Sequence, residues 1–167
     1  MTSTDRQKAG IHGCKELKTE PMFHRVFRAE TGAVRTTLTD IVSRFGEAVD
    51  PGTLGRLELV LAEVMNNVAE HAGTGDSIAP PRLPWIHVTV VRHDQGIACA
   101  ITDDGISLPE ECLAPRMMPG PEMDELPEGG FGWCLIQGLT QSLCYYREKH
   151  RNFLAFSVPM EQAGPIS

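Results

Sequence analysis

Apolar residues recur at spacings of three and four in some stretches of the chain and fall into short β-branched runs in others, a pattern that predicts a mixture of helices and strands. Met22 to Ala29 reads as a strand, with Phe23, Val26 and Phe27 supplying apolar bulk. Thr31 can cap a helix whose apolar positions, Val34, Leu38, Ile41, Val42 and Phe45, form one stripe, and Gly46 can end it. Asp50-Pro51 marks a second helix start, a capping acid followed by proline at the first helical position. Leu57, Leu61, Val64 and Val68 are its buried stripe, and it ends near His71-Ala72-Gly73. Thr74 to Pro84 is a loop rich in Gly and Pro.

Ile86 to Val91 and Ile97 to Thr102 read as strands joined through His93-Asp94-Gln95-Gly96, a turn that argues for an antiparallel hairpin. Phe131 to Leu143 reads as a helix, and Leu143 to Glu148 with Asn152 to Val158 as a final hairpin. The order predicts an α+β fold: a two-layer α/β sandwich with helices on one face of a mostly antiparallel sheet.

The 167 residues suit one domain, and a hydrophobic content of 41% is enough for a sizeable core. A formal charge of −7 opposes direct binding to nucleic acid or to an anionic membrane, since neutralising phosphates needs a basic face. No run of about 18 apolar residues occurs, so no transmembrane helix is expected. Residues 1–20 are polar, without periodicity and without the apolar core of a secretory signal; they read as a flexible segment before a domain at 21–160, with 161–167 a short tail. The cysteines are five, an odd number without a C-x-x-C pair, and Cys99 and Cys144 lie in apolar strand-like runs; reduced, buried thiols in a cytoplasmic protein are the simplest account. The six histidines are scattered without metal-ligand spacing.

Three short segments carry candidate chemistry. Glu63 and Asn67 are four residues apart, so they project from one side of the second helix. An amide oxygen there can coordinate Mg²⁺, and a carboxylate one turn away can accept a proton from an attacking hydroxyl or water. Taken alone, a solvated polar helix face accounts for the pair better, because surface acids are common. Asn66 points about 100° away from Asn67, and His71 suits the negative end of the helix dipole. Asp103 ends a strand before Asp104-Gly105; its carboxylate can accept from an exocyclic amine such as that of adenine, and Gly105 lets a flat base approach the backbone, although Asp-Gly is also an ordinary turn dipeptide. Gly129-Gly130-Phe131-Gly132 opens an apolar helix, where backbone N–H groups can wrap phosphate oxygens. It is neither a Walker A loop nor a complete Rossmann fingerprint. Between the two glycine turns, residues 107–128 hold five prolines, six acids and one basic residue, Arg116, in a segment without clear periodicity that reads as a functional lid.

Together these segments resemble the GHKL (Bergerat-fold) ATP-binding domain, and more narrowly the anti-sigma factor serine kinases. Leu59 to His71 is similar to the family's N box, Ile101-Thr102-Asp103-Asp104-Gly105 to its first glycine box, and Glu128 to Ile136 to its second; the Arg151 to Phe156 strand also has the family look. The resemblance spans about residues 20–160. It implies that Asn67 binds Mg²⁺, that Glu63 is the general base for a serine hydroxyl on a partner protein, that Asp103 reads adenine with Gly105 beside the base, and that Gly130 and Gly132, with Phe131 between them, contact the phosphates. The 107–128 lid would close over the triphosphate of ATP.

One departure stands out: where the family often has D-x-G-x-G, the last glycine is Ser107 here. The implied function is a protein-serine kinase that phosphorylates an anti-anti-sigma protein of the STAS type and sequesters a sigma factor. The alternatives are a nucleotide-gated interaction module without kinase activity and a plain ATPase. Family members are commonly dimers, so a homodimer is the implied assembly.

Overall fold

The computed structural model describes residues 21–71, 82–107 and 130–161. The elements run β1 (Met22–Arg28), α1 (Thr31–Phe45), α2 (Pro51–Glu70), β2 (Trp85–His93), β3 (Gly96–Asp103), α3 (Gly130–Leu139), β4 (Gln141–Glu148) and β5 (Arg151–Pro159). The strands form one sheet in the order β1-β2-β3-β5-β4. Every neighbouring pair is antiparallel. The expected α+β sandwich is therefore present, with a sheet that is antiparallel throughout its described strands. Among the described residues no helix is long and apolar enough to cross a membrane.

Alternation along the strands decides which face is covered. Ile86, Val88 and Val90 of β2, Ile97, Cys99 and Ile101 of β3, and Leu154, Phe156 and Val158 of β5 are buried in one phase. They meet Val34, Ile41 and Phe45 of α1, Leu57, Val60, Leu61, Val64 and Met65 of α2, and Trp133 and Ile136 of α3 in one core. The opposite phase, with Val26, Ala98, Ala100, Ala155 and Tyr146, stays exposed, so among the described residues no helix covers the second sheet face. On it Tyr146 and Phe153 stack at 4.6 Å between ring centroids.

Two local expectations need correction. Thr31 is not the cap of α1 but its first residue; the cap is Glu30, which makes no side-chain capping bond. The backbone on either side decides this: the Ala29 N–H donates to the Pro84 carbonyl at 2.9 Å, and the Glu30 carbonyl already accepts from Val34 N–H at 2.9 Å. The last helix ends at Leu139, not Leu143. Leu135, Ile136, Leu139 and Leu143 mimic one helical stripe, but Leu143 falls in β4, at the register shift between Gln141 and Cys144, and still packs on the core.

Helix α2 matters most for the site, and its start is tied down. The Asp50 carboxylate accepts from Thr53 N–H at 2.8 Å. The buried Thr53 hydroxyl accepts from the Glu161 N–H at 2.8 Å and from Arg56 Nη2 at 3.0 Å. Arg56 Nη2 also reaches the Pro159 carbonyl at 3.2 Å. The end of β5 thus fixes where α2 begins. The Thr53 N–H bond holds the Asp50 carboxyl below its ordinary range against a smaller opposing effect of burial. A depressed folded-state pKa adds stability that is complete above the unfolded value of about 3.9 and is lost as the pH falls through the folded value. Asp50→Ala is expected to cost about 1 kcal/mol at neutral pH, and denaturant titrations repeated at falling pH should show the difference shrinking in the acid range.

Candidate functional site

The candidate residues lie on α2, at the end of β3 and at the start of α3. Five residues of α2, Leu57, Val60, Leu61, Val64 and Met65, are buried in the core. That stripe turns Glu63, Asn66 and Asn67 to its margin, where all three are half-buried. Glu70 and His71 are exposed, and His71 is the C-cap, its backbone N–H bonded to the Ala69 and Asn67 carbonyls.

Helix α3 is rooted by Trp133, Cys134 and Ile136, all buried. Its first turn lies against Glu63: a Cβ built on Gly132 would fall on the Glu63 carboxylate, with Cγ of Glu63 at 2.9 Å. Any side chain at 132 would require the flexible end of Glu63 to move. Two segments far apart in sequence, the N box and the second glycine turn, therefore meet at Glu63 and Gly132. Gly130 opens the same helix, with Phe131 next. Gly129 and residues 108–128 of the expected lid lie outside the described residues.

Asp103 ends β3 and is 9% exposed. Its Oδ1 accepts from Gly105 N–H at 2.8 Å and from Asn152 Nδ2 at 2.9 Å. A Cβ at Gly105 would sit 2.9 Å from that same oxygen, so this glycine too is the room an acid requires. Burial pushes the Asp103 carboxyl above its ordinary range; the Asn152 and Gly105 donors and the Arg147 charge pull the other way, and Asp104 adds to the rise. Asp104, its neighbour, serves the loop instead: Oδ1 accepts from Trp85 N–H at 2.6 Å and Oδ2 pairs with Arg82 at 2.5 Å.

Three residues to which the sequence reading gave no role join Asp103. Asn152, 4% exposed, donates a second bond to the Ile106 carbonyl at 2.7 Å. Its Oδ1 accepts from Tyr145 Oη at 2.8 Å and from Arg147 Nη1 at 2.7 Å. Arg147 also reaches the Gly105 carbonyl at 3.0 Å. A signal was available: Asn152 shares the phase of Leu154, Phe156 and Val158, so an amide stands in a core-facing register. Met65 and Trp133 pack in the core, whereas Trp85 is 38% exposed and lies under the Arg28 guanidinium at 3.9 Å. Cys99 and Cys134 are buried, as expected for Cys99, and burial raises the Cys99 thiol well above its ordinary range; the same expectation fails for Cys144, which is exposed because its position in β4 faces out. Among the described residues no group of three or more His, Cys, Asp or Glu side chains could hold a metal ion.

The fold and these paired acids and glycines define a class, and comparison with known proteins bears it out. A family model described as histidine kinase-like ATPase domain matches residues 27–158, and the chain belongs to that family. Membership makes it an ATP-binding domain with ATPase- or kinase-type chemistry. The chain is also similar to the serine-protein kinase RsbW of Staphylococcus epidermidis, 27% identical over 118 residues that cover 69% of this chain and 70% of that protein. Among solved structures it resembles the RsbU and RsbW domains of Rv1364c from Mycobacterium tuberculosis, with a TM-score of 0.54 and 13% identity. That likeness, which is one of fold, covers 84% of this chain and 32% of the solved one, so the chain spans about a third of that protein.

Asp103 also makes a stability statement. A folded-state pKa raised above the unfolded one gives stability that is present below the unfolded value and lost as the pH rises through the folded value. Asp103→Asn, which keeps an acceptor for both donors, is expected to raise Tm at pH 7. Thermal melts as a function of pH should show that gain vanishing in acid, where the wild-type carboxyl is neutral too.

Proposed function

We propose that the chain binds ATP with Mg²⁺ and passes the terminal phosphoryl group to a serine hydroxyl on a partner protein. The observation that carries this reading is the seating of the Glu63 carboxylate against Gly132, which sets a proton acceptor beside a glycine turn at a helix N-terminus. The donor set suits the ligands. Asn67 offers an amide oxygen one helical turn beyond Glu63, the kind of ligand a hard cation takes, and Mg²⁺ held there supplies neutralising charge to the phosphates. Asp103 offers a carboxylate to an exocyclic amine beside the bare backbone of Gly105. Gly130 and Gly132, with Phe131 between them, present the backbone of the first turn of α3 to phosphate oxygens.

In this reading Glu63 accepts the proton of the incoming serine hydroxyl. The seryl oxygen bonds to the terminal phosphorus, the bond from that phosphorus to the ADP oxygen breaks, and ADP leaves. The similarity to a serine-protein kinase supports serine as the acceptor. The partner we assign is an anti-anti-sigma protein of the STAS type, with a sigma factor as the protein held in the alternate state, in a cytoplasmic, homodimeric regulator. A second reading, a nucleotide-gated interaction module without transfer, is favoured by Ser107 in place of glycine and by the six acids of residues 107–128.

Transfer of label from γ-labelled ATP to serine of a STAS-type protein decides between them. Glu63→Ala is expected to abolish transfer while ATP affinity by calorimetry is kept, and Asn67→Ala to remove the Mg²⁺-dependent part of that affinity. Transfer by Glu63→Ala near the wild-type rate would sink the base assignment. Gly132→Ala tests the carrying observation: the added Cβ pushes against the flexible end of Glu63, so the fold survives while the carboxylate moves. Misplacement of about 1 Å costs on the order of 100-fold in rate, and unaltered transfer with an unaltered melting curve would show that the contact is unimportant.

A further inference from the structure

The first glycine turn is gripped from outside by the β4–β5 hairpin. We propose that Asn152 and Arg147 are positioning residues for nucleobase recognition, holding the Asp103 carboxylate and the Gly105–Ile106 backbone in the arrangement that selects a base bearing an exocyclic amine. The inference rests on the nucleotide reading above and extends it to residues on a different hairpin.

The argument begins with a residue out of place. Position 152 lies in the core-facing phase of β5, opposite Asp103 in the β3–β5 register. An apolar side chain there would leave the Ile106 carbonyl and one side of a nearly buried carboxylate without a donor, which is costly. The amide instead uses all its near partners: two acceptors, Asp103 Oδ1 and the Ile106 carbonyl, lie on Nδ2, and two donors, Tyr145 Oη and Arg147 Nη1, lie on Oδ1. Rotating the amide by half a turn would set donor against donor and acceptor against acceptor, so the partners settle its orientation.

Two consequences follow for Asp103. Oδ1 is taken by Asn152 and Gly105, which directs an arriving amine to Oδ2. The Gly105 and Ile106 carbonyls, held by Arg147 and Asn152 respectively, keep the turn from shifting relative to the carboxylate. A fully partnered polar network of this kind restricts geometry more than its separate bonds would. Both residues act through Asp103 and the turn.

The test compares ATP with purine riboside triphosphate, which lacks only the exocyclic amine, by calorimetry in Mg²⁺ on wild type, Asn152→Ala and Arg147→Met. Arg147 is exposed, so its variant keeps the core intact should Asn152→Ala fold poorly. Wild type is expected to prefer ATP by about tenfold or more, the effect of one hydrogen bond to a charged group. In Asn152→Ala the preference should collapse to about twofold or less, and in Arg147→Met it should narrow, each through weaker ATP binding with little change for the amine-free nucleotide. An undiminished preference in both variants overturns the proposal, as does an equal loss of affinity for both nucleotides, which is what general damage gives. Wild type binding both nucleotides equally also overturns it. Wild type binding neither would sink the nucleotide reading itself, a result distinct from those.

Discussion

Asp103 closes the middle strand of a five-stranded sheet with its carboxylate almost out of water, and a charge in that position is tolerated only with hydrogen-bond donors aimed at it. The surroundings supply them. One donor is the backbone of the turn that follows, the other an amide from β5, and the amide is itself steadied by a phenol and a guanidinium from β4. The hairpin β4–β5 therefore does more than extend the sheet; its inward polar residues meet the end of β3 and set the shape of the first glycine turn. Burial still raises the carboxyl's pKa, so this carboxylate is held at some cost in stability at neutral pH.

The two glycine turns have a common physical logic. At both Gly105 and Gly132 the atoms that a Cβ would meet first belong to an acid of the site, Asp103 in one case and Glu63 in the other. The absence of a side chain makes room for the protein's own carboxylates. This links the glycines to the acids directly, and it brings the N box against the second glycine turn although Glu63 and Gly132 lie 69 residues apart in the chain. Rigid placement of that unit depends on α2, whose core stripe lies on the sheet and whose first turn is knotted to the end of β5 through Thr53, Arg56 and Glu161.

Much of the fold was legible in the chain because periodicity is a local property. The stripes of α1 and α2, the Asp50-Pro51 start, the Asp94-Gln95 hairpin and the strand phases of β2, β3 and β5 follow from the spacing of apolar residues and from turn chemistry. The errors occurred where local signals were degenerate. Thr31 has the chemistry of a cap but not the position, because the backbone bonds of Ala29 and Glu30 fix the helix start one residue earlier. Leu143 continues a helical spacing but belongs to β4, a strand whose pairing with β5 is set by residues distant in the chain.

Glu63, Asn67, Asp103, Gly105, Gly130, Phe131 and Gly132 are candidates that the sequence alone offers, since their residue types and intervals carry meaning on their own. What they touch could not. That Gly132 abuts Glu63, that Asp103 and not Asp104 turns inward to a buried amide, and that Asn152, Tyr145 and Arg147 complete its surroundings depend on strand register and helix packing between segments distant in the chain. The amino-acid order determined the elements, their phases and the candidate chemistry, because those arise from neighbours within a few residues. Only the tertiary structure decided which acid meets which glycine and which donors steady the buried charge, because those contacts exist only once the sheet is paired and the helices are laid on it.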